Sequence, residues 1–165
     1  SLGKALPRLC CAVKHAVESL HRCNIAHCDL KAENIVVTSD CTRVVIIDYG
    51  AAVWIDSEGE LVLRGHEHDP RTPLNCTCTT YVDAELAALA KLPSQTTPRR
   101  ARTIRDYDYY AVGVMLLSIF WLYEHRGGDT SSVPVLRACK DAARMLLLCD
   151  PNSDRAWELF TAKGS

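Results

Sequence analysis

Two short polar segments carry the side chains of this sequence that could do chemistry together. Residues 27–34 read HCDLKAEN, and residues 48–50, fourteen positions after Asn34, read DYG. They offer carboxylate and amide oxygens, the hard ligands that magnesium takes in proteins, and the point charge of Lys31. Taken singly, each segment is more typical of a turn. Only elements that bring the two segments together would make them a site.

Helical periodicity covers most of the chain around these segments. Apolar residues recur three and four positions apart over residues 5–23, which predicts an amphipathic helix with Pro7 in its first turn and Asn24 as its stop. Further apolar patterns predict three more helices, over residues 81–92, 108–123 and 133–148. The sequence shows no strand–helix–strand alternation and no internal repeat, so the predicted fold class is mainly α.

Short β-branched runs interrupt the helical pattern. Those at residues 35–37 and 44–47 predict an antiparallel hairpin between the two polar segments, and a weaker pattern over residues 54–63 predicts a second hairpin. Residues 93–105 are rich in Pro, Ser, Thr and Arg and predict an exposed insertion. The predicted architecture is a single domain over residues 1–165, mainly α with two short β-hairpins.

The composition narrows the class of protein. With 48% hydrophobic and 24% charged residues, 165 residues can bury one core, and a formal net charge of -1 argues against binding nucleic acid through overall charge. Nine cysteines without a dense framework favour a reducing compartment, which predicts an intracellular protein of the cytoplasm or nucleus. The longest uncharged stretch, residues 109–123, is shorter than the roughly 20 residues of a membrane span. The chain begins at Ser1 without an initiator Met, so we expect it to be part of a longer protein.

The two polar segments resemble the catalytic loop and the metal-binding Asp-Phe-Gly element of the protein kinases, in the same order and with a strand pair between them. Three later segments resemble further kinase motifs: YVDAE at residues 81–85, DYYAVG at 108–113 and DPNSDR at 150–155. The likeness spans about residues 5–160 and is to the large C-terminal lobe of the family. None of the eight glycines forms a Gly-x-Gly-x-x-Gly pattern, so the small lobe is expected to be absent from these 165 residues.

The resemblance implies a serine/threonine protein kinase that uses ATP and Mg²⁺. Asp29 and Lys31 would be its catalytic residues, with Asp29 positioning the substrate hydroxyl and receiving its proton. Lys31, Asn34 and Asp48 would bind the nucleotide, and Asn34 and Asp48 would hold the metal ions. In the family, a lysine at the position of Lys31 goes with serine/threonine specificity. The chain alone is expected to turn over far more slowly than the roughly 1 to 100 per second of complete kinases, or not at all.

The resemblance also assigns structural roles. Asp108 should hold the backbone around His27, and Glu85 should pair with Arg155. Residues 48–85 would form the activation segment. Cys28 stands where most of the family has an arginine that binds an activation-loop phosphate, so we expect this segment to become ordered without phosphorylation.

Other interpretations of the chain stay open at this point. The protein could be a truncated, kinase-like decoy or pseudokinase that binds and regulates a partner kinase or a substrate without catalysis. Under either interpretation the partners are a protein substrate and a missing small lobe or partner kinase, with no nucleic acid and no membrane. A zinc site is a weaker candidate, because its cysteines are only one residue apart. Its ligands would be His66, His68, Cys76 and Cys78. The basic run at residues 98–105 is either a solvated loop or a contact for an acidic partner.

Overall fold

The computed structural model describes residues 2–59 and 104–147. These residues form three α-helices, two small two-stranded sheets and one 3₁₀ turn. In chain order they are α1 (Leu2–Arg22), β1 (Ile25–Ala26), the 3₁₀ turn (Ala32–Asn34), β2 (Ile35–Val37), β3 (Val44–Ile46), β4 (Val53–Trp54), α2 (Ile104–His125) and α3 (Pro134–Leu147). The mainly helical class predicted from the sequence is therefore confirmed for the described ranges.

Helix α1 has the buried stripe that its apolar spacing predicts. Its fully buried side chains recur every three or four residues: Leu6, Cys10, Val13 and Val17. The helix starts three residues earlier than predicted, so Pro7 lies inside it and removes the backbone donor that would bond to the Gly3 carbonyl. Asn24 ends the helix as predicted, with a left-handed φ of 60° that asparagine tolerates better than most residues.

Helix α2 is the central element of the core. Its long uncharged sequence is buried on several sides, and Val112, Leu116 and Phe120 are at most 1% exposed. Helix α3 approaches it closely at Gly113, where a Cβ atom would lie 2.9 Å from the carbonyl oxygen of Ala143. Glycine is therefore required at this crossing.

The start of α2 corrects the predicted boundary of the insertion. The sequence predicts an exposed segment to residue 105 and a helix from Asp108, whereas the helix begins at Ile104. Residues 104–107 contain neither proline nor glycine, so nothing in them stops the helix from extending backwards, and Asp106 suits a first turn. The Arg105 guanidinium donates to the Ser57 carbonyl oxygen over 3.0 Å. Residues 93–103 lie outside the described ranges.

The predicted hairpin between the two polar segments is confirmed. Strands β2 and β3 are antiparallel, with Ile35 opposite Ile46 and Val37 opposite Val44. Ile46 is buried against the helices, and Ile35 is partly buried in the same cluster. The hairpin thus fixes the distance between residue 34, just before β2, and residue 48, just after β3.

The second sheet differs from the second predicted hairpin. Trp54 lies opposite Ile25 and Val53 opposite Ala26, so the described partner of β4 is β1, which precedes the first hairpin in the chain. Strand β1 is only two residues long, which is too short for a period-2 pattern to predict. Residues 61–63, the predicted second strand, lie outside the described ranges. This long-range pairing brings the chain after residue 50 back beside the end of α1.

Several other sequence predictions also fall outside the described ranges. They are the helix at residues 81–92, the Glu85–Arg155 pair, the activation segment beyond residue 59, the zinc alternative and the basic run before residue 104. Within the described ranges, no three His, Cys, Asp or Glu side chains cluster as metal ligands. The helices of those ranges also lack any stretch long and apolar enough to span a membrane.

Candidate active site

The buried carboxylate of Asp108 fixes the start of the 27–34 loop. Asp108 lies on α2 and is 0% exposed. Its Oδ2 accepts a hydrogen bond of 2.8 Å from the His27 backbone N–H, and its Oδ1 accepts one of 2.8 Å from the Cys28 backbone N–H. Cys28 has a left-handed φ of 62°, and this pair of bonds holds it there. The predicted role of Asp108 is confirmed.

His21 gives Asp108 a third partner that the sequence did not reveal. Its Nε2 lies 2.9 Å from Asp108 Oδ2, and because a carboxylate only accepts, the imidazole donates. Both side chains are buried, so the bond forms away from water, where a lost partner is costly. A single histidine near the end of an amphipathic helix carries no motif, and only the long-range packing of α1 on α2 shows its role.

His27 links the 27–34 loop to the 48–50 turn. Its Nε2 lies 3.0 Å from the Ile47 carbonyl oxygen, and its Nδ1 accepts the Asp29 backbone N–H over 3.3 Å. A carbonyl accepts and an N–H donates, so the two contacts select the neutral tautomer with its proton on Nε2. The ring also packs on Tyr49, with the ring centroids 5.2 Å apart. The imidazole is 0% exposed and acts as a fixed spacer between the two segments.

Three of the predicted site residues contact one another within the loop. Asp29 Oδ2 accepts a 2.9 Å bond from Lys31 Nζ and a 3.3 Å bond from Asn34 Nδ2. Asn34 Nδ2 also donates to the Asp29 carbonyl oxygen over 2.8 Å. The Asn34 amide is thus held with its nitrogen toward Asp29. Its Oδ1, the atom that can bind a cation, is the other end of the same amide.

Asp48, the fourth predicted site residue, is brought beside Asn34 by the hairpin. The Ile47 backbone N–H donates to the Asn34 carbonyl oxygen over 2.9 Å, so Asp48 follows directly after a residue hydrogen-bonded to Asn34. Asp48 has a left-handed φ of 62°, and its Oδ1 accepts a 3.4 Å bond from the Gly50 N–H. This turn directs the chain away from β3 immediately after the carboxylate. The turn itself is exposed.

The electrostatics show that Lys31 lies within range of both carboxylates. The hydrogen bond from Lys31 to Asp29 is the main cause that raises the pKa of the ammonium. Desolvation, the next largest cause, lowers it, and the charges of Asp29, Asp48 and Glu33 raise it further. The ammonium therefore stays cationic at any physiological pH. A positive charge hydrogen-bonded to Asp29 is suited to bind a group of opposite sign that enters the same space.

The motifs and the geometry together point to one family, and a comparison of the whole sequence decides it. A family model described as protein kinase domain matches residues 4–159. This chain belongs to the protein kinase family. No match was found among curated proteins or among solved structures.

Protein kinases carry out phosphoryl transfer and generally use ATP with Mg²⁺. The oxygen atoms of Asn34 and Asp48 in this kinase fit such an ion, because magnesium prefers carboxylate, carbonyl and amide oxygens. They lie at the open end of one hairpin, with Asn34 just before β2 and Asp48 just after β3. Asn34 is partly fixed by Asp29, whereas Asp48 lies on an exposed turn. The donor set is thus of the right chemical class for the group that the family implies.

This kinase departs from the usual family pattern at Cys28. The side chain is 1% exposed and its Sγ lies 3.9 Å from the Ala26 carbonyl oxygen, in a small apolar cluster with Ala26 and Ile55. A long cationic side chain at this position would have to leave that cluster to reach a phosphate. The prediction that the activation segment becomes ordered without phosphorylation concerns residues beyond the described ranges and stays a prediction.

Proposed function

We infer that this chain is the large catalytic lobe of a serine/threonine protein kinase, which transfers a phosphoryl group from ATP to hydroxyl groups of protein substrates. The observation that carries the proposal is the shared carboxylate oxygen Asp29 Oδ2, which joins Lys31 and Asn34, next to the hairpin that delivers Asp48. Phosphoryl transfer needs positioning and charge neutralisation more than covalent help from the protein.

Asp29 is the residue that would position the substrate hydroxyl. Its backbone N–H donates to His27, which fixes the position of the residue, and its side chain is 16% exposed. The carboxylate is therefore held in place and still reaches solvent. A carboxylate is a weak base, so its main contribution is to aim the hydroxyl oxygen and accept its proton as the bond to phosphorus forms.

Lys31 would stabilise the transferring phosphoryl group. Its side chain is 47% exposed, and the hydrogen bond to Asp29 holds the ammonium on the side of the loop where the hydroxyl would lie. The serine/threonine specificity rests on the match of Lys31 to the family pattern. Asn34 and Asp48 would hold Mg²⁺, which when bound neutralises the charge of the phosphates.

The test is a phosphotransfer assay with Mg-ATP labelled in its γ-phosphate and two peptide pools. One pool has serine and threonine acceptors, and the other has the same flanking residues with tyrosine. We expect slow incorporation into the first pool, and we expect Asp29→Asn to reduce it by at least about 100-fold. Glu33→Gln, on the exposed side of the same loop, is the matched control and should retain the wild-type rate.

Melting curves with and without Mg-ATP separate the alternatives. Stabilisation by Mg-ATP without transfer to either pool would show that this chain binds the nucleotide and does not catalyse transfer by itself. Transfer to tyrosine alone would contradict the specificity inferred from Lys31. The absence of both transfer and stabilisation at millimolar Mg-ATP would contradict the proposed function for this chain.

A further inference from the structure

The solvent face of α1 carries positive side chains that the proposed phosphoryl transfer does not use. They are Lys4, Arg8, His15 and Arg22, and all four are exposed, the Arg22 side chain by 67%. Each residue of an α-helix is rotated by about 100° from the one before it, so these four side chains fall within an arc of about 40°. They form one straight line along the outside of the helix, which we call the cationic row.

Acidic side chains of the same helix do not balance the cationic row. Glu18 is the only acidic residue of α1, and its Oε1 accepts a 2.6 Å hydrogen bond from Nζ of the buried Lys14. Glu18 Oε2 lies 3.9 Å from the Arg22 guanidinium, at the edge of the row. The other three members of the row form no ion pair with a carboxylate of the described ranges. This helix face is therefore positive in a chain whose formal net charge is -1.

The rest of α1 narrows the kind of partner that the cationic row fits. Leu6, Val13 and Val17 are buried in the core, so α1 has no free apolar face to insert into a lipid surface, as an interfacial helix does. The helix contains no Phe, Tyr or Trp on which the bases of a single strand would stack. The attraction that remains is electrostatic and runs along a line, and it favours a partner whose negative charges repeat along a matching line.

We propose that the cationic row binds an acidic helix of a partner protein, which lies alongside α1. Arg8, His15 and Arg22 follow one another at intervals of seven residues, which is about 10.5 Å along the helix axis. A partner helix with an acidic residue at every seventh position repeats its carboxylates at the same interval, so the ion pairs form in register. Lys4 adds a fourth charge and extends the row to a length of about 27 Å.

The strength of such a contact follows from the exposure of the row. Exposed ion pairs are individually weak, so the partner helix has to engage several members of the row at once. Salt screens exposed charges, so the contact weakens as the ionic strength rises. The proposal does not depend on the proposed function, because no member of the row belongs to the proposed site.

The test is an NMR titration of the isotope-labelled whole chain with two synthetic helical peptides of identical composition. The first peptide has glutamate at every seventh position, on one face, and the second has the same glutamates distributed around the helix. We expect the first peptide to shift the amide signals of residues 4–22 and to bind at least about fivefold more tightly than the second. Raising the salt to about 0.5 M should weaken its binding at least about tenfold.

Charge reversal separates the row from the net charge of the chain. Lys4→Glu combined with Arg8→Glu should weaken binding of the first peptide at least about tenfold, because two attractions become repulsions. Acidic residues suit the start of a helix, so this variant should stay folded, which circular dichroism checks. Arg126→Glu combined with Arg137→Glu, at exposed positions outside α1, changes the net charge equally and should bind within about twofold of the wild type. Arg22→Gln, at the other end of the row, should weaken binding about threefold.

Three results would overturn the proposal of an acidic helical partner. The first is the absence of shifts in residues 4–22 at millimolar concentrations of the first peptide. The second is equal binding of the two peptides, or equal losses of affinity in the two double variants. The third is a short DNA duplex that binds more tightly than the first peptide at about 0.15 M salt, because the row would then be a surface for nucleic acid.

Discussion

Residues 27–34 and residues 48–50 contribute neighbouring side chains to the proposed site, and the fold holds them differently. The buried carboxylate of Asp108, which is 0% exposed, holds the start of the first segment by hydrogen bonds. Asn34, at the end of that segment, is 4% exposed. The second is an exposed turn, in which Tyr49 is 47% exposed and Asp48 accepts a long bond of 3.4 Å from Gly50. The proposed base is therefore positioned by the folded protein alone. The proposed metal ligand on the turn is left accessible to an incoming cation.

The largest change in stability should come from replacing Asp108, whose carboxylate holds the start of the first segment. Asp108→Asn replaces one acceptor oxygen with an amino group that faces N–H donors, and we expect it to lower the free energy of unfolding by about 3 to 5 kcal/mol. Urea denaturation measures the change. Asp141→Asn, which loses only an exposed pair with Arg144, is the control and should change stability by at most about 1 kcal/mol. Equal losses in the two variants would show that Asp108 is not a special support.

A smaller loss of stability is expected from replacing His21, which contacts Asp108 and not the loop itself. His21→Leu removes the side-chain donor to Asp108 but leaves its two backbone donors, so the loss should be about 1 to 3 kcal/mol. His15→Leu, on the exposed side of the same helix, should stay within about 0.5 kcal/mol of the wild type. A His21 variant as stable as its control would mean that the backbone bonds alone hold Asp108.

The exposed turn should show the opposite pattern, with little change in stability and a clear change in ligand binding. Asp48→Asn should unfold within about 0.5 kcal/mol of the wild type. At a concentration of Mg-ATP that stabilises the wild type by about 2.7 kcal/mol, a tenfold weaker Kd would reduce that stabilisation to about 1.4 kcal/mol. Thermal denaturation with and without Mg-ATP measures both quantities. Undiminished stabilisation of Asp48→Asn would contradict the role proposed for this carboxylate.

The smallest effect concerns the tip of the hairpin that separates the two segments. Hydrogen bonds from Thr38 and Thr42 lower the pKa of Asp40 to about 2. Because the folded-state pKa lies below the unfolded value, Asp40 stabilises the fold above the unfolded pKa and loses that effect as the pH falls through about 2. An NMR titration should give this value for the wild type and a higher value for Thr42→Val. An unchanged pKa in that variant would rule out the Thr42 hydroxyl as a cause, because the bond from the Thr42 backbone N–H remains.

The same comparison shows what the sequence could predict. The hairpin and the helix containing Asp108 follow from local patterns, because β-branched runs and uniform apolar stretches are visible within a few residues. The bond from Asp108 to the backbone near His27 also followed, from the resemblance of residues 108–113 to a kinase motif. Local signals and motif likeness were enough for these features.

The pairing of β1 with β4 and the contact of His21 with Asp108 could not be predicted in this way. They join Ile25 with Trp54, 29 positions apart, and His21 with Asp108, 87 positions apart. In each contact one partner, β1 or His21, carries no local pattern. The early start of α2 was missed because the Arg- and Pro-rich composition before it outweighed the absence of a helix breaker at residues 104–107. Such features are decided by tertiary packing, which a single sequence does not display.

The proposed function depends most directly on the binding of divalent cations by the oxygen atoms of Asn34 and Asp48 beside Asp29. Manganese broadens NMR signals of nuclei near it, so a titration of the whole chain with Mn²⁺ and a non-hydrolysable ATP analogue reports where the cation binds. We predict that amide signals of residues 29–34 and 47–50 broaden first, and that Asp48→Asn removes the effect. Broadening centred on other acidic residues, such as Asp129 or Asp141, or broadening that persists unchanged in Asp48→Asn, would contradict the account.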